Sequence, residues 1–109
     1  MGIYTTRQIR ELTVAEFKAV MAAKEPVVSL HATDHLDAQQ RKVFKEKELT
    51  VMVERENPRK AYLQQNGRYA AYYRRADGYR KLIIEIENTK AVIVSFMDPQ
   101  EIPKINVQP

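Results

Sequence analysis

Residues 61–97, AYLQQNGRYAAYYRRADGYRKLIIEIENTKAVIVSFM, decide the fold. Three turn-forming groups interrupt them: Asn66-Gly67, Ala76-Asp77-Gly78 and Asn88-Thr89-Lys90. Between the turns lie runs rich in tyrosine, valine and isoleucine, which suit a pleated, half-buried surface. The spacing predicts strands at 61–65, 68–75, 79–87 and 91–97. Turns this short join neighbours antiparallel, so the prediction is a meander. In the third strand Leu82, Ile84 and Ile86 face one way, and Lys81, Ile83 and Glu85 the other. In the fourth, Val92, Val94 and Phe96 oppose Ala91, Ile93, Ser95 and Met97.

Upstream the character is helical. Thr13-Val14-Ala15-Glu16 has the form of a capping box, and Val14, Phe17, Val20 and Met21 recur at helical spacing. A helix is expected within 7–23, stopped by Pro26. Val27-Val28-Ser29-Leu30 is a short apolar stretch leading to His31. Residues 31–56 contain no glycine or proline and predict two helices with a break near 45–48, ended at Asn57-Pro58. Helices followed by a meander predict an α+β domain: N-terminal helices packed on one face of a four-stranded antiparallel sheet. The other face is left partly open. At 109 residues the chain suits a single domain over 1–109. A loose end is expected over residues 1–6, and an extended tail over 99–109, which carry three prolines.

Composition narrows the function classes. Hydrophobic content of 44% with 29% charged residues fits a globular protein. The chain has no cysteine, which removes disulfides and thiolate metal sites and suits a cytoplasmic protein. No apolar run is long enough to span a membrane, so no membrane partner is expected. The net charge of +4 is unevenly placed. Residues 68–81 hold five basic side chains and one acid, while the rest of the chain has 13 of each sign. A concentrated basic patch attracts polyanions.

Few residues suggest chemistry. The only histidines, His31 and His35, sit four apart with Asp34 and Asp37 nearby. Such spacing could serve a divalent cation, as in a metal-binding accessory protein. Ala32, however, stands where the metalloprotease glutamate would be, and no cysteine can complete a zinc site. No metal is therefore expected. The three glycines, Gly2, Gly67 and Gly78, are isolated, so no phosphate-binding loop and no cofactor is expected. His31 could instead transfer protons during metal-independent RNA cleavage, beside a tyrosine and the arginines of 68–81. Tyrosine rings could stack bases while arginines grip phosphates. In the second strand, Tyr69, Ala71 and Tyr73 alternate with Arg68, Ala70, Tyr72 and Arg74, so at least one ring is assigned to the core.

Ser29-Leu30-His31-Ala32, the helix-ending Pro58, Gly67-Arg68 through Tyr72, and Val94-Ser95-Phe96 follow one another in a suggestive order. Over residues 27–98 this order resembles a prokaryotic domain family grouped with the RelE-like and barnase-like ribonuclease toxins. The resemblance implies a four-stranded antiparallel sheet and a site between the His31 helix and the sheet. It also implies acid–base roles for His31 and Ser95, with Arg68 or Arg74 holding phosphate. His35 stands where members of that family often carry arginine.

The functional expectation is a toxin-like RNA-binding domain, in the enzymatic case a metal-independent endoribonuclease. His31, Ser95 and Tyr72 form its candidate catalytic set. Arg68, Arg74, Arg75, Arg80 and Lys81 form its candidate nucleic-acid-binding set. RNA or another polyanion is the expected partner, with an antitoxin or acidic protein beside it. The alternative is a non-catalytic protein-interaction module that uses the basic hairpin and the helix at 7–23 to meet an acidic partner or a second copy in a homodimer.

Overall fold

The structure, a computed structural model, describes residues 7–34 and 39–103. Local chemistry sets helix α1 (Val14–Ala22). The Thr13 hydroxyl accepts from the Glu16 amide at 3.0 Å, and the Glu16 carboxylate accepts from the Thr13 amide at 2.8 Å. The two bonds satisfy amides that a helix start leaves without intrahelical partners. Phe17 and Met21 are the buried residues of α1. Its helical path does not reach back to residue 7. Thr13 is extended (φ −69°, ψ 160°), and Gln8–Leu12 form strand β1. The expected helix over 7–23 is thus corrected to a strand followed by a shorter helix.

Strand β2 (Glu25–Val28) follows α1, and a 3₁₀ turn (Leu30–Thr33) follows β2. Ser29 caps that turn, its hydroxyl accepting from the Ala32 amide at 3.2 Å. Helix α2 (Gln39–Arg55) then runs unbroken, which corrects the expected interruption near 45–48. In its second half Leu49, Met52 and Val53 are buried, whereas Val43 and Phe44 in the first half are exposed. The apolar period therefore fades while the backbone helix continues. Lys45 ties the first half down, with its ammonium 2.8 Å from Glu48 and 5.5 Å from the Phe96 ring centre. At the other end the Lys18 ammonium donates to the Glu56 carbonyl at 3.0 Å, partnering a carbonyl at the helix terminus.

Strands β3 (Lys60–Gln64), β4 (Tyr69–Arg75), β5 (Gly78–Glu87) and β6 (Lys90–Met97) are successive antiparallel neighbours. They are not the whole sheet. Its order is β1-β3-β4-β5-β6-β2, six strands rather than four. β1 extends one edge antiparallel to β3, and β2 extends the other edge parallel to β6. The class is α+β with a mixed sheet, which corrects the expected all-antiparallel meander. Pro26 in β2 sits on an edge strand, the position in a sheet that tolerates a missing N–H.

The two helices cover one face. Phe17, Met21, Leu49, Met52 and Val53 meet Ala61, Ala71, Tyr73, Leu82, Ile84, Ala91 and Ile93 in the main core. Phe17 is fully buried, and truncating such a ring to alanine costs about 3–5 kcal/mol. On β6, simple alternation fails at one residue. Ile83 pairs with Ser95 and Ile84 with Ile93, which leaves Val94 as a bulge. Ile93 and Phe96 therefore both face the helices, and Val94 packs on the other side. That second side holds a smaller cluster of Tyr62, Ala70, Tyr72 and Ile83.

After β6 the chain crosses the β4–β5 hairpin. The Tyr79 amide donates to the Pro99 carbonyl at 2.9 Å, and Ile102 packs against the smaller cluster. Gly78, at φ +150°, lies under this crossing. A Cβ there would stand 2.8 Å from the Pro99 oxygen, so no side chain fits without moving the tail.

Candidate functional site

Strand alternation divides the basic stretch between two environments. Arg75 and Arg80 belong to the helix side. The Arg75 guanidinium takes both Glu56 oxygens, at 3.0 and 3.3 Å. Arg80, only 9% exposed, donates through Nε and Nη2 to the Asp98 carboxylate, and its Nη1 lies 3.2 Å from Glu48. Its guanidinium also stands 5.5 Å from the Phe96 ring centre. Burial pushes the Glu48 carboxyl up, but its bonds and charge attraction to Lys45 and Arg80 leave it below the ordinary value. Both arginines thus act as braces between the sheet and α2 or the tail.

The uncovered face carries the others. Arg68 pairs with Glu85 at 2.8 Å, and this bond holds the Glu85 carboxyl below its ordinary value. Arg74 stands 5.2 Å from the Tyr79 ring centre, and Lys81 5.4 Å from that of Tyr72. No carboxylate pairs with Arg74 or Lys81 among the described residues. Burial lowers the pKa of the Lys81 ammonium, because a half-buried cation loses part of its hydration. The strand register adds a fourth cation. Lys60 and Lys81 both lie directly opposite Tyr72, so Lys60, Tyr72 and Lys81 form a row across three strands. Lys60 also pairs with Glu11 at 2.9 Å.

The candidate catalytic residues are spread out. Tyr72 is 1% exposed, so its ring is a floor for Lys81 and not a stacking platform. It packs edge-on against Tyr62 with ring centres 6.2 Å apart, and burial, followed by the Tyr62 charge, raises its hydroxyl pKa. Ser95 is half-buried opposite Ile83, on the same face. His31 sits on the 3₁₀ turn beyond edge strand β2, with its side chain 89% exposed and Nδ1 3.4 Å from Asp34. His35 and Asp37 lie outside the described residues. Among the described residues no group of three or more histidines and carboxylates could hold a metal ion.

The structure therefore brings together Arg68, Tyr72, Arg74, Lys81 and Ser95 on the open face. It places Arg75 and Arg80 on the other side and His31 past an edge. Sequence reasoning passed over Lys60 and Tyr79. Both could have been found by extending the antiparallel register from the two hairpin turns. No protein family, curated protein or solved structure matches the chain.

Proposed function

We propose that the chain binds single-stranded RNA through the open face of its sheet, without cleaving it. One observation carries this: Arg74 and Lys81 are cations without carboxylate partners among the described residues, each seated on an aromatic ring of the face no helix covers. Phosphate oxygens accept from the Arg74 guanidinium and the Lys81 ammonium, and Lys60 extends the row towards the sheet edge. A cation already resting on a ring has lost part of its hydration, so contact with phosphate displaces less water. The outer plane of Arg74 offers a surface on which a base can stack. Cleavage is left out because this pair lies on the sheet face, while exposed His31 stands on the turn beyond β2.

The test is binding of a fluorescent oligo(U) across a salt series. Affinity should fall steeply as salt rises, since bound phosphates release their counterions. Replacing Arg74 and Lys81 together with alanine should lower the log–log slope by about 1.4, or ~0.7 per phosphate contact on a single strand. Arg75→Ala should leave the slope unchanged. Salt-insensitive binding, or a double variant that binds like the parent, would sink the proposal.

A further inference from the structure

The segment that follows β6 joins the two sides of the sheet. Asp98 belongs to the helix side, where its carboxylate accepts from the Arg80 guanidinium. Ile102 belongs to the open side, where it packs against the cluster of Tyr62, Ala70, Tyr72 and Ile83. Tyr79 packs on that same cluster. Tyr72 and Tyr79 are the rings beneath Lys81 and Arg74, so Ile102 shares an apolar patch with the two cations proposed to hold RNA.

The attachment is light. None of residues 98–103 is buried, and only Pro99 and Ile102 are half-buried. The bond from the Tyr79 amide to the Pro99 carbonyl is the one backbone hydrogen bond between this segment and the sheet among the described residues. An open crevice of about 460 Å³ runs between Asp98, Pro99 and Gln100 and the turn at Asp77-Gly78. Arg80 also holds Glu48 at 3.2 Å, so its charge keeps an acid when Asp98 departs. A segment with so few buried contacts opens locally at small cost, without unfolding the sheet. We infer that residues 98–103 form a strap across the open face, and that RNA binds by displacing Ile102 from the cluster it shares with Tyr72 and Tyr79. This rests on the RNA-binding reading above and names the regulation of that site. The patch under Ile102 is apolar, so what the strap holds off is a base and not a phosphate. Chains with the strap closed do not bind, and the observed affinity is the intrinsic one scaled by the open fraction.

Two measurements on the full chain test the strap. Ile102→Ser changes no charge, and should raise affinity for fluorescent oligo(U) about fivefold by enlarging the open fraction. Its salt slope should match the parent's, because no phosphate contact is gained. Leu30→Ser, which removes an exposed apolar side chain from the 3₁₀ turn, should leave the affinity unchanged. Amide hydrogen exchange reads the strap without any variant. The Tyr79 amide, bonded to Pro99 when the strap is closed, should exchange faster in the parent once oligo(U) is bound. It should also exchange faster in free Ile102→Ser than in the free parent. Equal affinity of parent and Ile102→Ser, or slower exchange at Tyr79 on binding, overturns the strap and leaves the RNA face standing. Failure of both chains to bind oligo(U) overturns the RNA reading and the strap with it.

Discussion

Arg74 and Arg75 are neighbours in sequence, as are Arg80 and Lys81, yet each pair is split between the two faces of the sheet. On the helix side Arg75 and Arg80 are held by Glu56, Glu48 and Asp98. On the open side Arg74 and Lys81 rest on Tyr79 and Tyr72, with no acid paired to them among the described residues. The difference comes from what lies opposite. Helix α2 and the start of the tail bring carboxylates to one face, while the other presents aromatic rings from its own strands. A basic run counted along the chain thus overstates by about twofold the charge that a ligand could meet on one face.

Substitutions at Arg80 and Lys81 should separate these environments most sharply. Arg80→Ala removes a buried brace joining β5 to α2 and the tail, and should cost about 2–3 kcal/mol in urea unfolding. Its half-buried neighbour, as Lys81→Ala, should cost no more than about 1 kcal/mol, the loss of one cation–ring contact. Equal losses at the two positions would erase the distinction.

A smaller effect should appear in pH dependence. Folding holds the Lys81 pKa below 10.5, so its ammonium deprotonates at lower pH in the folded chain than in the unfolded one. Stability should therefore rise as pH climbs from the lowered value towards 10.5, because the unfolded state then binds more protons. Polyanion binding should move the opposite way. Affinity for oligo(dT), which survives alkali, should fall about three- to fivefold over that window, as fits an ion pair worth ~0.6–1 kcal/mol. Lys81→Arg should keep it flat, and a parent profile just as flat would remove Lys81 from the site.

The smallest change concerns Tyr73, on the helix side of β4. Its hydroxyl is buried and finds no hydrogen-bond partner among the described residues, and burial drives its pKa upward. Tyr73→Phe should leave thermal stability equal or up to ~1 kcal/mol higher. A clear loss would mean that this side depends on the hydroxyl.

The central strands were legible because Asn66-Gly67, Asp77-Gly78 and Asn88-Thr89 mark turns locally, and the capping box because its bonds span three residues. β1 was not, since Arg10 and Glu11 give it no apolar alternation. β2 was not, since Pro26 and four residues carry too little signal. The bulge at Val94 reverses the direction of Phe96 without any glycine to announce it. At the candidate site, the residue types on β4 and β5 were legible. The acids that occupy Arg75 and Arg80 come from α2 and the tail, and no local pattern connects them. His31 could not be placed, because its position depends on β2 joining β6.

That union also has a bearing on time. Val27 and Val28 align with Val92 and Ile93 in parallel, so β2 has no strand to lean on until the chain has delivered β6. The segment linking them includes α2 and three strands, and closing so long a loop is a slow, entropy-limited event. Folding should therefore begin with the local hairpins of β4, β5 and β6, and β2 should be among the last elements to dock, carrying the His31 turn into place with it.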